Sequence, residues 1–349
     1  MPVDLDGRGG LAAQLARQAR DCDAIGSRLY ADLCRSASLD LAAGGDLARV
    51  LEPWADERDG DLVPLRLLAA GHRLVLERAA PALALWFPSV GGAAPVDGSG
   101  RAACFAAWRA ALIDHADRLP DLLAAVPQTN EPGRSAAFAG AFAHAAAAYG
   151  LPVRAHELGA SAGLNLLADH VRVTWLGGAR GPQGSPLVLE DVWEGEPLPP
   201  DVEPDLIERV AVDLAPVDVR TTEGRLHLTS FVWPDQSERF DRLRAAFELA
   251  QQVPVRLVAS DVVEHLRALA PQPGSLLLVA HSTTWIYLDE TARAQAEAAF
   301  AALGAQATTD APVMHVSREP RSLDHDAGTD FELVVRCWPA PPQGPLAVF

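Results

Sequence analysis

The sequence predicts an α/β protein, with an all-α N-terminal domain over residues 1–150 and a domain built on a mostly parallel sheet over residues 151–349. Residues 11–149 are rich in Ala, Leu and Arg, with apolar side chains three and four positions apart, which indicates amphipathic helices. After Gly150, short apolar runs alternate with helical stretches, as in parallel sheets. The closely spaced runs 331–338 and 346–349 predict an antiparallel hairpin at one edge.

Composition limits the classes of function. The chain has 349 residues, 49% of them hydrophobic, and a formal net charge of −17, which argues against nucleic acid as a partner. No apolar run is long enough to cross a membrane and the first residues do not resemble a signal peptide, so we expect a cytoplasmic protein without a membrane partner. The four cysteines show no metal-ligand spacing, and no metal site is predicted.

The helical spacing and its breaks place the elements of each domain. The helices predicted in the first domain are Leu11–Cys34, Leu62–Trp86, Ala102–Ala125 and Arg134–Tyr149. In the second domain, we expect an insertion at about 170–206, in which Val171–Leu176 and Leu187–Glu190 pair as a β-hairpin around glycines. Such an insertion could cover a site or be surface decoration.

The most informative stretch follows the first predicted strand. An apolar run ends at Glu157 and Leu158, the small-residue turn Gly159-Ala160-Ser161-Ala162-Gly163 comes next, and an apolar segment predicted as a helix over Ala162–Asp169 follows. A strand, a tight turn and a helix N-terminus can present backbone N–H groups to a ligand. The pattern resembles the first motif of S-adenosylmethionine-dependent methyltransferases, with serine where many members have glycine. It also matches the nucleophile elbow of α/β-hydrolases, with Ser161 as nucleophile.

The position of the turn favours the first interpretation. A nucleophile elbow follows a central strand that several strands precede, whereas this turn follows the first strand in the chain. The next two strands end at acidic residues, Asp213 and Asp261, where a nucleotide-like cofactor would place its ribose and adenine. The residues predicted to bind S-adenosylmethionine are Glu157, Gly159, Ser161, Gly163, Asn165, Asp213 and Asp261. A turn without a ligand, and helix capping by Asp261, are the structural alternatives.

Polar residues near the fourth predicted strand and at the domain junction are candidates for substrate contact. His281 ends the fourth strand and is the candidate general acid–base, because imidazole exchanges protons near neutral pH. A histidine satisfied by local hydrogen bonds is the alternative. The predicted substrate-binding residues are Asn130, Glu131, Arg134, Ser282, Trp285 and Tyr287. For the first three, helix capping and ion pairing are the alternative.

Five segments spread along the chain form a recognisable set. They are Ser27-Arg28-Leu29-Tyr30, Gln128-Thr129-Asn130-Glu131-Pro132-Gly133-Arg134, Glu157 to Leu166, Asp213 to Val219, and Trp233-Pro234-Asp235-Gln236. Together these segments resemble one bacterial family, catalogued as domain of unknown function 2332. The resemblance covers nearly the whole chain and carries no established activity. The fold and first motif of the second domain are similar to Rossmann-like class I methyltransferases, and they imply S-adenosylmethionine as cofactor.

The resulting functional hypothesis is methyl transfer from S-adenosylmethionine to a small-molecule substrate. A noncatalytic S-adenosylmethionine- or nucleotide-binding module is the alternative, and an α/β-hydrolase is third. Fold analogy supports an architecture better than it supports a reaction. The sequence identifies neither the methyl acceptor nor the oligomeric state.

Overall fold

The computed structural model describes residues 10–192, 202–321 and 331–340. The chain divides into two compact units. The first contains the residues up to Thr129 together with Arg225–Asp241, and the second contains Asn130–Gly224 and the residues from Arg242 onward. Within the described ranges, no helix is both long enough and apolar enough to cross a membrane.

Helices account for most of the first part of the chain. They are α1 (Leu11–Ala24), α2 (Arg28–Ala42), α3 (Asp46–Val50), α4 (Val63–Leu76), α5 (Pro81–Ala84), α6 (Gly98–Asp114), α7 (Leu119–Ala124) and α8 (Ser135–Tyr149). The expected helix Leu11–Cys34 is wrong, because the chain turns at Gly26, with a φ of 91°. Ser27 then caps α2 by accepting a hydrogen bond from the backbone N–H of Tyr30, so the segment forms two helices.

The first unit has its own apolar core. Leu15, Tyr30, Leu67 and Trp108 lie in one buried cluster of this unit. Two segments far apart in sequence meet there: the Ser27 hydroxyl donates to the Asp235 carboxylate at 2.7 Å, and the Leu29 N–H donates to the same carboxylate at 3.2 Å. The first and last of the segments that carry the family resemblance are therefore joined by hydrogen bonds.

The second unit is built on a six-stranded sheet. Its strands are β1 (Val153–Leu158), β5 (Leu206–Asp213), β6 (Arg256–Ala259), β7 (Leu276–Ser282), β8 (Val313–Pro320) and β9 (Phe331–Trp338). Their order is β6-β5-β1-β7-β8-β9. All neighbours are parallel except β8 and β9, which are antiparallel. An antiparallel strand thus closes one edge, but its partner is β8, and residues 346–349 of the expected hairpin lie outside the described residues.

Four further helices follow β5 along the chain. They are α9 (Thr222–Ser230), which the sequence did not predict, α10 (Ser237–Ala250), α11 (Val262–Ala268) and α12 (Glu290–Gln306). On one face of the sheet, Leu158, Val212 and Val279 pack in a buried cluster with Leu266 of α11 and Phe300 of α12. The central strand β7 is buried along its whole length, which accounts for its nearly continuous apolar sequence.

A small separate sheet fills part of the expected insertion. It has the order β3-β2-β4, from β2 (Arg172–Trp175), β3 (Gly178–Arg180) and β4 (Val188–Leu189). The expected pairing of Val171–Leu176 with Leu187–Glu190 as a hairpin is wrong. The antiparallel partner of β2 is β3, reached through a tight turn, whereas β4 runs parallel to β2. The expected helix Ala162–Asp169 is a 3₁₀ helix over Leu164–His170.

Candidate functional site

The turn after β1 has an unusual backbone. Gly159, Ser161 and Gly163 all have positive φ angles, of 63°, 54° and 71°. Glycine adopts this backbone conformation readily, whereas residues with a side chain disfavour it. A Cβ atom at Gly159 would lie 2.5 Å from the Thr284 hydroxyl oxygen, and one at Gly163 would lie 2.6 Å from the Cβ of Ala211. Both glycines are therefore required by close packing of the turn itself.

Side chains from two other segments hold this turn in place. The amide oxygen of Asn130 accepts hydrogen bonds from the N–H groups of Ala162 at 3.3 Å and Leu164 at 3.0 Å. The Asp213 carboxylate accepts from the N–H of Ser161 at 2.8 Å. Three segments that carry the family resemblance meet at the turn, and their polar side chains satisfy its backbone donors.

Glu157 is the central acidic group of the turn. Its carboxylate is 2% exposed, and one oxygen accepts a hydrogen bond from the Asn165 amide at 2.9 Å. The Ser135 hydroxyl in turn donates to the Asn165 oxygen at 3.2 Å. Burial raises the pKa of Glu157 from its ordinary value of 4.5 to about 8, because the charged form is poorly solvated. At neutral pH the protein therefore holds Glu157 mainly as the neutral acid.

Buried polar atoms without partners are concentrated at the carboxyl ends of β1 and β7. Among the described residues, no hydrogen-bond partner is found for Oε2 of Glu157 or for the hydroxyl oxygens of Ser161, Ser282 and Thr283. Most buried polar groups in proteins are hydrogen-bonded, and an exception can mark a place where water or a ligand binds. We refer to Asn130, Glu157, Ser161, Asn165 and Asp213 as the turn cluster.

His281 lies on the opposite face of the sheet from Glu157. In the parallel register of β1 and β7, Glu157 pairs with Ala280 and Leu158 pairs with His281. Adjacent residues of a strand point to opposite faces, whereas paired residues share a face. The sequence assigned Glu157 and His281 to one site, and the structure separates them by the thickness of the sheet.

His281 instead belongs to a buried histidine cluster, made of His281, His315 and Glu319. The His281 Nδ1 atom lies 2.7 Å from Glu319 Oε1, and its Nε2 atom lies 2.9 Å from Nε2 of His315. Trp285 stacks on the His281 ring at a centroid distance of 3.6 Å, and Phe300 stacks on His315 at 3.7 Å. Both nitrogens of His281 are therefore occupied by groups of the protein.

Burial also controls the protonation of this cluster. It lowers the pKa of His281, against the opposing effect of the hydrogen bond that His281 donates to Glu319. It lowers the pKa of His315 well below 6.5, and a charge on His281 lowers it further. Since both rings favour the neutral form, they can share one proton between their facing nitrogens. Glu319 also accepts hydrogen bonds from the N–H groups of Thr284 and Trp285, which fixes the loop after β7.

The remaining predicted residues are in varied surroundings. Arg134 donates to the carbonyl of Ser282 at 3.1 Å. Glu131 forms an ion pair with Arg242 at 2.9 Å. Asp261 caps α11 through hydrogen bonds from the N–H groups of Val263 and Glu264. Tyr287 is 71% exposed.

Sequence reasoning missed Glu319 and Arg318, which end β8 beside His281 and Ser282. The available signal was their place at the end of a predicted parallel strand, where polar side chains often serve a site. In the described part of the chain, no group of three or more His, Cys, Asp or Glu residues is arranged to hold a metal ion. The same part offers no hydrogen-bond partner for the Ser161 hydroxyl, so no described histidine is hydrogen-bonded to it as a general base would be.

The fold and these clusters define an α/β protein with a helical N-terminal region and a buried polar turn at the carboxyl edge of its sheet. A family model described as an uncharacterized protein conserved in bacteria (DUF2332) matches residues 12–347, and the chain belongs to that family. No curated protein matches the chain. No solved structure matches it either.

Proposed function

We propose that the protein is an S-adenosylmethionine-dependent methyltransferase acting on a small molecule, with the cofactor bound at the turn cluster. The observation that carries the proposal is the buried Glu157 carboxyl, one oxygen of which has no partner among the described residues. A buried carboxyl group with one unpaired oxygen, next to a glycine-containing turn, is complementary to a ligand that brings a positive charge.

The sheet order supports the location. With its six strands numbered along the chain, the order β6-β5-β1-β7-β8-β9 is 3-2-1-4-5-6, the order of doubly wound dinucleotide-binding folds. The direction of strand succession reverses between β1 and β7. Ligands of such folds bind in the crevice at the carboxyl ends of the strands at that point. The turn cluster lies at the end of β1, and Ser282 ends β7.

The residues of the turn cluster fit the chemical groups of this cofactor. Bound there, S-adenosylmethionine would supply an electrophilic methyl group on a positively charged sulfur. Ionised Glu157 would compensate positive charge, and Asp213, which ends β5, would accept hydrogen bonds from ribose hydroxyls. Catalysis would come from holding donor and acceptor in line. His281 is given no proton transfer in this proposal, since both of its nitrogens already have partners.

The alternative is a noncatalytic module that binds the same ligand. The spaces next to Gly159 and Gly163 are filled by Thr284 and Ala211, so neither hypothesis places the ligand directly against these two glycines. Enzyme and module both predict binding of the cofactor. Only the enzyme predicts that S-adenosylhomocysteine accumulates over many turnovers when a bacterial small-molecule extract is added.

Calorimetric titration of the full chain with S-adenosylmethionine and S-adenosylhomocysteine at pH 8 tests the proposal. We expect saturable binding, weakened by about tenfold or more in Glu157→Gln because an interaction with an ionised group is lost. Glu297→Gln is the matched control, since Glu297 forms a half-exposed ion pair with Arg336. Absence of binding by both compounds to folded protein would overturn the proposal.

A further inference from the structure

Polar groups outside the turn cluster lie at the ends of β7 and β8. Ser282 pairs with Arg318 in the parallel register, so their side chains share one face of the sheet. Glu157 is on that face too, because it pairs with Ala280, two residues before Ser282. Arg134 reaches the same place and donates to the Ser282 carbonyl. We call Arg134, Ser282, Thr283 and Arg318 the arginine cluster.

Arg318 occupies an electrostatically unusual position. Burial and the neighbouring charge of Arg134 lower its pKa from 12.5 to about 10. Its guanidinium carbon lies 4.1 Å from the centre of the Phe331 ring, and one face of the group is thereby covered. No residue that the structure describes accepts a hydrogen bond from this guanidinium or forms an ion pair with it. Within the described residues, its N–H donors are therefore unused.

Two described carboxylates that act on Arg318 are engaged elsewhere. Glu319 and Glu131 both stabilise its charge at a distance. Glu319, however, is hydrogen-bonded to the His281 ring and to the N–H of Thr284. Glu131 forms an ion pair with Arg242. Neither carboxylate supplies the direct, planar pairing that a guanidinium prefers.

Two hydroxyl groups belong to residues that pair with Arg318 or bond to its backbone. The hydroxyl oxygens of Ser282 and Thr283 are buried and have no hydrogen-bond partner among the described residues. Thr283 has a φ of 57°, and its N–H donates to the Arg318 carbonyl at 3.1 Å. A strained backbone position of this kind is often found at a ligand site. The hydroxyls of these two residues and the desolvated guanidinium of Arg318, which they flank, are donor types suited to an oxyanion.

We propose that the arginine cluster binds an anionic group, a carboxylate or a phosphate, of a small-molecule ligand. The inference rests on the proposed function only in naming that ligand as the methyl acceptor. The anion anchors the ligand at the ends of β7 and β8, beside the end of β1 where the turn cluster binds the cofactor. Arg318 is the main contact, Arg134 adds charge, and the hydroxyls of Ser282 and Thr283 donate to the remaining oxygens.

Thermal unfolding of the full chain in sodium acetate or sodium phosphate, with sodium chloride at matched ionic strength as reference, tests the proposal. Saturable stabilisation by one or both anions is expected. In Arg318→Gln the anion concentration for half of the effect should rise by about tenfold or more, and Arg318→Lys should retain part of the affinity. Arg336→Gln, which removes an arginine of the neighbouring strand β9, should respond like the natural protein.

The outcomes separate the two proposals. Equal responses of the natural protein and Arg318→Gln, or no saturable response to either anion, would overturn the anion site even if S-adenosylmethionine binds. A response that depends on Arg318 in a protein that does not bind S-adenosylmethionine would keep the anion site and overturn the methyltransferase. A response to acetate alone identifies a carboxylate ligand, and a response to phosphate alone identifies a phosphate ester. If Arg318→Gln is unfolded, Arg318→Lys decides, since its affinity should still be reduced.

Discussion

Replacing Glu157 by Gln should change how the stability of the protein depends on pH. Burial raises the pKa of Glu157 in the folded state to about 8, from an ordinary value of 4.5, so the folded protein binds this proton more tightly than the unfolded chain does. The resulting stabilisation is complete below pH 4.5 and is lost as the pH rises through about 8. Gln is neutral at every pH and removes the dependence.

The size of the effect follows from the two pKa values. The pKa of Glu157 is 4.5 in the unfolded chain and about 8 in the folded protein. By linkage, the free energy of unfolding of the natural protein should fall by about 4 kcal/mol between pH 5 and pH 9, relative to that of Glu157→Gln. Urea unfolding followed by circular dichroism at both pH values measures this difference in free energy. Glu297→Gln is the control, and its difference from the natural protein should change little with pH. A difference between Glu157→Gln and the natural protein that is constant with pH would refute the assigned environment of Glu157.

Three other substitutions test the turn and the histidine cluster. Gly159→Ala should destabilise the protein by about 2–3 kcal/mol, because a clash with Thr284 adds to the cost of a positive φ. Gly150 has a similar φ but open space around it, so Gly150→Ala should cost only about 1 kcal/mol in urea unfolding. Equal costs for the two variants would refute the packing argument. Asn130→Ala leaves two N–H groups of the turn without their acceptor and should cost about 1–3 kcal/mol by the same measurement; a cost below about 0.5 kcal/mol would contradict it. Because the pKa of His315 is lowered well below 6.5 in the folded state, the stability that depends on its neutral form is lost as the pH falls below about 6.5. His315→Gln should lack this acid-induced loss in thermal scans.

Strands of the main sheet could be predicted where a short apolar run is bounded by breaks. The apolar residues 276–280 have this pattern, and β7 covers Leu276–Ser282. The division of the first helix was also accessible, since Gly26 followed by Ser27 combines a helix-ending residue with a capping residue. The 3₁₀ helix after the turn could not be predicted, because its form depends on tertiary hydrogen bonds. One of them is donated by the Arg209 side chain to the Leu166 carbonyl at 3.1 Å.

The proximity of the turn residues could be predicted from the sequence, whereas the surroundings of His281 could not. Glu157, Ser161 and Asp213 are brought together as expected from the ends of neighbouring parallel strands. The separation of His281 from Glu157 follows from register, which a single sequence does not contain, since a shift of one residue exchanges the two faces. Glu319 lies 38 positions from His281 along the chain, and no local pattern connects them.

Calorimetric titration with S-adenosylmethionine at pH 6 and pH 8 tests the central proposal most directly. If ionised Glu157 is required, its pKa of about 8 predicts binding about 50-fold weaker at pH 6 than at pH 8, and little pH dependence for the weaker binding that remains in Glu157→Gln. Binding of equal strength at the two pH values would contradict a role for the Glu157 carboxylate. Absence of binding at both, by protein shown to be folded, would contradict the methyltransferase itself.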